Sequence, residues 1–483
     1  MKERLPTKWD CETEVAVIGA GAAGPAVAIS AHSAGAKVLI LERMLEPSGD
    51  MALSAGMVYA ADTSIQKALG IEDSSDRMYK LYIAACPKAK GKEAEKMRMI
   101  ADGSAEVIEW LISLGVKFPA VIGVPGLMYG GLELLPEYAA LVPPTPGAHA
   151  CEGGGKALQA ALIKVVKERG IQFLTETRAR ELIANAQGEI IGIKAENKGK
   201  ALYIKTKRSV VICCGHFSHN KDLIERYVPE YVNFPTFTAP GLEGDGILMA
   251  QMHGAAVANI SDFRVNIGMP YKPGRALLVV RWCPCILVNK KGKRFINDHA
   301  GYGPLAKAIT EQEDSVCFVI FDNNARKTGA GNLLQPPLSG DLGLEIKQEL
   351  VKTASTIREL AKEIGVDLAT FEATVSAYNE NARLGKDPEF GSTHFVEPIL
   401  NPPFYAIKCV PAIGSPTGGL ETNLQAQVLN VLGKPIPRLY AVGTVASLYP
   451  GYPGSGSHMA SIFVFGRIAG RNAAEEPLSS KNR

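Results

Sequence analysis

The chain shows two textures of apolar and polar positions. Glu14 to Gly19 (EVAVIG) is a short apolar run rich in β-branched residues and ending on glycine, which predicts a strand buried on both faces. The small-residue stretch 24–35 (GPAVAISAHSAG) predicts a helix, and Lys37 to Leu41 (KVLIL) a second strand. Together they make a βαβ unit of roughly thirty residues. Gly155 to Gly170 repeats apolar positions at helical spacing and stops on glycine. Alternating strands follow around the turns Gln187-Gly188 and Asn197-Lys198-Gly199, and then the apolar strand Ser209 to Cys213. Near 268–274 (GMPYKPG) the texture changes to proline- and glycine-rich loops. Strands such as Cys285 to Val288 come next, then helices to about Asn381, and from Pro402 the glycine-rich style returns. The pattern predicts an α/β protein with a discontinuous Rossmann-like dinucleotide-binding domain over 1–264 and 405–483. An inserted α+β substrate (cap) domain is expected over 265–404.

Composition narrows the class. A chain of 483 residues exceeds what one core usually serves, so two domains sharing a cleft are expected. Apolar residues make up 46%, charged residues 21%, and the formal charge is only +3, which argues against nucleic-acid binding. The opening MKERLPTKWDCETE has no apolar leader core, and no run is long enough to span a membrane. The nine cysteines include the close pairs Cys213-Cys214 and Cys283-Pro284-Cys285, neither with CxxC spacing, so free thiols in a reducing cytoplasm are expected. The spacing of His216, His219 and His458 matches no metal site, and structural roles are expected for them.

Candidate chemistry begins at VAVIGAGAAG. Gly19, Gly21 and Gly24, with Ala20, Ala22 and Ala23 between them, form a GxGxxG at the strand–helix turn. The first glycine permits the turn, the second a close approach by pyrophosphate, and the third tight helix–strand packing. Glu42 ends the second strand, where a carboxylate would hold ribose hydroxyls, and Arg43 follows it. Small residues at Ser48-Gly49-Asp50 and Ser54-Ala55-Gly56 suit a backbone passing under a flavin ring. Leu439 to Gly443 (LYAVG) resembles the strand and glycine turn that approach the flavin phosphates in flavoproteins with two dinucleotide folds. These features select FAD over NAD.

Nearly the whole chain resembles the succinate dehydrogenase/fumarate reductase flavoprotein family. The resemblance rests on the N-terminal glycines with Glu42, on Gly244-Asp245-Gly246 before ILMAQMHGA, and on Arg294-Phe295. Gly418-Gly419-Leu420 and the closing Phe465-Gly466-Arg467-Ile468-Ala469-Gly470 add to it. Val210 to Gly215 looks like the strand ending in Thr-Gly that precedes the cap, with Cys214 in place of threonine. The resemblance implies FAD contacts at Asp245, Cys214, Gly215, Gly443 and Ser457. Members with covalent FAD carry a histidine in the loop after Ser48; this loop has none, so non-covalent FAD is expected. The arginine that delivers a proton in fumarate reducers is replaced by Tyr302, and the arginine of the C-terminal loop is missing from SLYPGYPGSGS (Ser447 to Ser457). Fumarate is therefore not expected as substrate.

Those departures resemble the 3-ketosteroid dehydrogenases. Tyr452-Pro453-Gly454-Ser455-Gly456 matches the loop of the 1-dehydrogenases, implying that the Tyr452 hydroxyl and the Gly456 amide grip a carbonyl oxygen. The hydroxyl of Ser455 is the alternative to that amide. The stretch Ser64 to Met78 and LMYGG at 127–131 look more like the 4-(5α)-dehydrogenases. Tyr302 would be the proton carrier, with Tyr129 or Tyr138 as a relay. The expected activity is introduction or reduction of the C=C bond α,β to a ketone, on a 3-ketosteroid, a smaller cyclic enone or an unsaturated acid. A small apolar ketone and a separate electron acceptor or donor are the expected partners, with the oligomeric state left open.

Overall fold

Five parallel strands form the floor on which the glycine turns stand. The computed structural model describes residues 5–122, 146–279, 281, 283–329, 334–335, 339, 341–393 and 395–478. Strands Gln172–Leu174, Val38–Leu41, Cys11–Ile18, Lys200–Ile212 and Pro435–Ala441 lie side by side in that order, all parallel. The continuous apolar run in the first strand has a physical cause. Val15 and Val17 enter one core while Ala16 and Ile18 enter another on the opposite face, so no position is free to be polar. Strands Thr177–Ala184 and Ile190–Asn197 fold back antiparallel onto Lys200–Ile212.

Helix Ala23–Ser33 covers one face of this sheet and packs against the long helix Ser457–Glu475. The closing FGRIAG motif permits that contact. A Cβ on Gly466 would lie 3.0 Å from the Ala26 Cβ, and one on Gly470 would lie 2.5 Å from the Val27 carbonyl oxygen.

A second, antiparallel sheet runs Ile286–Asn289, Cys317–Phe321, Phe404–Pro416, Phe263–Lys272, Arg275–Val279 and Leu334–Gln335. Leu305 and Ile309 of helix Tyr302–Thr310 cover one face, while Leu360 and Phe371 cover the other. Two sequence expectations need revision here. The segment 268–274 is not a run of loops but most of a hairpin between Phe263–Lys272 and Arg275–Val279. Pro270 is tolerated because the pairing with Phe404–Pro416 ends at Gly268, leaving one side of the strand without a neighbour to receive an N–H. By sheet membership the chain also stays in the second sheet to Pro416, beyond the expected return at 405. Pro411, Gly414 and Pro416 make that strand read like the glycine-rich half.

Among the described residues no helix is long and apolar enough to cross a membrane. All nine cysteines are free.

Candidate functional site

The carboxyl ends of the parallel strands open into one continuous cleft. Gly19, Glu42, Cys213-Cys214 and Gly443 follow four adjacent strands and all line it, the place where open α/β sheets bind ligands. Gly19 has φ +103°, and a Cβ there would strike the Cys213 carbonyl at 2.7 Å. A Cβ on Gly24 would lie 1.9 Å from the Gly19 oxygen, so this glycine serves helix packing and does not line the cleft. Gly21 behaves differently: a Cβ would meet only the Ser48 oxygen, at 3.6 Å, and would fill open cleft. Helix Ala23–Ser33 starts here and directs its N–H groups at whatever anion enters.

Glu42 is 5% exposed; its carboxylate accepts the Ala20 amide at 2.9 Å and the Met44 amide at 2.8 Å. Burial pushes its pKa above the ordinary value, against the pull of those amides and of Arg43. Arg43 bonds the Gly241 carbonyl at 2.8 Å and Glu243 at 3.2 Å, while Arg178 grips Asp245 at 2.6 and 2.7 Å and Glu243 at 2.7 Å. At this end two arginines and two carboxylates neutralise one another.

Of the other expected cofactor residues, Ala20, Ala22, Ala23, Gly49, Asp50, Ser54, Ala55, Cys214, Gly215 and Asp245 line the cleft. Gly56 and Ser457 lie outside its lining. A Cβ on Gly56 would strike the Gly154 backbone at 2.4 Å, and the Ser457 hydroxyl donates to the Gly454 carbonyl at 2.7 Å. Burial pushes the Cys214 thiol up to about 12, so it stands there protonated. The set fits FAD: a side chain at Gly21 would fill the cradle, and the buried Glu42 carboxylate lines the same cleft, where it would hold ribose hydroxyls.

The far end of the cleft is built differently. Tyr452, Ser455, Gly456 and His458 line it from the loop and first turn of helix Ser457–Glu475, together with Phe237 and Leu278. Gly456 caps that helix at φ +86°, where a Cβ would lie 2.7 Å from the Tyr59 nitrogen. The Tyr452 and His458 rings meet edge to face at 5.1 Å. Burial, with help from the Arg264 and His216 charges, pulls His458 down to about 3, so it is a neutral imidazole at ordinary pH. Tyr302 opens helix Tyr302–Thr310, but its side chain lies outside the described residues, as do Tyr129 and Tyr138 entirely. The loop before Tyr302 is held by buried Arg281, which donates to the Asp298 and Ala300 carbonyls at 2.7 Å each. Asp298 in turn bonds Arg294, whose further carboxylate partners are Asp387 at 2.7 Å and Glu389 at 3.5 Å.

Sequence reasoning named Asp50 but missed its partners, the Thr238 and Arg275 links beside it, and Arg264. Asp50 accepts from His216 at 2.9 Å and from the Ala239 amide at 2.8 Å. Burial would raise its pKa, but His216, that amide and Arg264 together bring it below the ordinary value. Thr238 links Ser218 at 2.6 Å, Thr236 at 2.8 Å and His219 at 3.2 Å, and Arg275 donates to His219 at 2.9 Å. Arg264 enters the cleft from the second sheet. Its one available signal was a lone cation in the apolar strand FRVNIGMP. Among the described residues no group of three His, Cys, Asp or Glu gathers as metal ligands.

With this geometry established, comparison places it. A family model described as an FAD binding domain matches residues 14–459. A probable fumarate reductase, Ifc3, from Shewanella frigidimarina is 30% identical over 96% of this chain and 75% of that protein. A urocanate reductase from Eggerthella lenta is also 30% identical, over 98% of this chain and 76% of its own length. The 4-oxocyclohexanecarboxylate 2-dehydrogenase of Sinomonas cyclohexanicum is 27% identical over 95% of this chain and 92% of that protein. Among solved structures, the 3-ketosteroid-Δ4-(5α)-dehydrogenase of Rhodococcus jostii RHA1, in complex with 4-androstene-3,17-dione, superposes with a TM-score of 0.75. It is 29% identical, with 97% of this chain and 98% of that one covered.

Proposed function

The chain belongs to the FAD-binding-domain family of the succinate dehydrogenase/fumarate reductase flavoproteins, an oxidoreductase family acting on C=C bonds. On that premise we propose that it forms or reduces the double bond next to the carbonyl of a cyclic ketone. The observation that carries this reading is the Tyr452–Gly456 loop, which puts a tyrosine, a serine and the amide end of a long helix on one wall of the FAD cleft. The Tyr452 hydroxyl and the Gly456 amide donate to the carbonyl oxygen, with the Ser455 hydroxyl beside them. Donors preorganised in this way stabilise a developing enolate by about 3–4 kcal/mol each. Tyr302 removes the α-proton in the oxidative direction and returns it in the reductive one, with Tyr129 or Tyr138 as the relay. The glycine turn at Gly19 and Gly21 and the Glu42 carboxylate would hold FAD without a covalent link, and the flavin would supply the hydride acceptor or donor for the β-carbon. Electrons then pass to or from a separate carrier.

A 3-ketosteroid is one fitting substrate, supported by the steroid-bound relative. A single-ring ketone is the other, supported by the oxocyclohexanecarboxylate dehydrogenase. A second reading, reduction of an unsaturated acid, is favoured by one observation: Arg264 faces the cleft without an acidic partner among the described residues. The test is reoxidation of the chemically reduced holoprotein, without oxygen, by a 4-ene-3-ketosteroid, 2-cyclohexenone, fumarate and urocanate. Rapid return of the oxidised flavin spectrum with an enone supports the ketone reading. Return with the acids alone overturns it.

A further inference from the structure

Among the described residues, one charge in the cleft has no acidic partner. Arg264 is half-buried, with its guanidinium carbon 5.3 Å from the Tyr452 ring centroid and 5.4 Å from that of Phe237. Its Nε is buried without a hydrogen-bond partner among the described residues, and no described carboxylate forms an ion pair with it. Asp50 feels its charge but is already committed to His216 and the Ala239 amide. Aromatic faces compensate such a cation only in part, and an orphaned buried donor costs stability. The other two arginines lining the cleft, Arg43 and Arg178, are satisfied by Glu243 and Asp245. The neighbouring His458 is neutral, and the helix N-terminus at Gly456 adds positive potential to the same wall. This end is built for negative charge.

We infer that Arg264 binds a carboxylate of the substrate, so that the substrate is a compact cyclic oxo acid carrying a ketone and a carboxylate on one ring. The inference rests on the ketone chemistry proposed above and narrows it. Compactness follows from Tyr452: its hydroxyl is assigned to the carbonyl, and its ring face carries the guanidinium. Carbonyl and carboxylate must then lie within about one ring of each other, which a steroid with a side-chain acid does not satisfy. The planar guanidinium suits a carboxylate held by two parallel hydrogen bonds. The relative named for 4-oxocyclohexanecarboxylate acts on a molecule of this kind.

The test titrates the holoprotein anaerobically with 4-oxocyclohexanecarboxylate and with its methyl ester, following perturbation and bleaching of the flavin band. The wild type is expected to bind the acid roughly 10- to 100-fold more tightly than the ester. Arg264→Leu should bring that ratio close to one, and Arg264→Lys should leave it between the two, because the charge remains without the fork. Equal binding of acid and ester by the wild type, which needs no variant, overturns the inference. So does an unchanged ratio in Arg264→Leu. A 3-oxo steroid acid bound more tightly than the single-ring acid, with a similar preference over its own ester, overturns the compact-ring assignment. The chemistry is read separately: tight acid binding with no bleaching by either compound, and no reoxidation of the reduced flavin by an enone, sinks the ketone reading and leaves the role of Arg264 standing. Bleaching by acid and ester with equal affinities does the reverse.

Discussion

The two ends of the cleft handle charge in opposite ways. At the dinucleotide end, Arg43 and Arg178 are matched by Glu243 and Asp245, and Glu42 is held by two backbone amides. What remains for a ligand there is mostly backbone: glycine turns, helix N–H groups and one carboxylate. At the far end Arg264 has no carboxylate partner among the described residues, His458 is stripped of its proton, and Tyr452 and Ser455 stand on a loop. A backbone cradle suits a resident cofactor common to many chemistries, and its requirements are written in glycines. The other end is defined by side chains, among them an Arg264 Nε that no described residue satisfies, as expected where a specific substrate completes the structure.

Variants on either side of this divide should separate binding of FAD from turnover. The largest effect is expected from Tyr302→Phe. Flavin content should be retained while flavin reduction by a ketone slows by roughly 100- to 10,000-fold, the range for general acid–base catalysis; stopped-flow absorbance reads both. Full speed in this variant would remove Tyr302 from the mechanism. Next comes Arg294→Met in the second sheet. It would leave Asp298 and Asp387, 1% and 2% exposed at their side chains, without their cation. A loss of about 3–5 kcal/mol in denaturant unfolding is expected.

His458 gives a pH-dependent effect of a few kcal/mol. Its pKa is held at about 3 in the fold against an ordinary value of 6.5, so the unfolded chain takes up the proton first. Stability attributable to His458 is present above about pH 6.5 and is lost progressively as pH falls toward 3. In His458→Asn, thermal melting across that window should flatten; an unchanged acid slope would show that His458 does not cause it. The smallest effect is expected at the dinucleotide end. Glu42→Gln should weaken FAD roughly 10- to 100-fold, as for loss of a charge-assisted hydrogen bond, measured by flavin fluorescence on dilution. Its rate per bound flavin should change little by comparison with Tyr302→Phe.

Legibility in the sequence follows the same divide. The strand EVAVIG, the glycine turn and Glu42 could be read because backbone requirements leave a local signature within about thirty residues. The FAD cofactor and the α/β class with a capping domain followed from that signature and from motifs spread along the chain, and comparison shows both. The return of the chain near 405 was misplaced because Pro411, Gly414 and Pro416 lie within a strand whose partners are distant in sequence. The Asp50–His216 pair joins residues 166 positions apart, and Arg264, on a strand of the second sheet, meets Tyr452 on the loop before the last helix. No local pattern encodes such approaches. The histidines expected to be merely structural illustrate this: His458 lines the cleft and His216 anchors a residue that does.

The most direct measurement is the anaerobic absorbance spectrum of the oxidised holoprotein mixed in turn with a saturated 3-ketosteroid, cyclohexanone, 4-oxocyclohexanecarboxylate and succinate. The account predicts bleaching of the flavin band by a ketone and none by succinate. Bleaching by succinate, with every ketone inert, would contradict it and return this cleft to the chemistry of dicarboxylates.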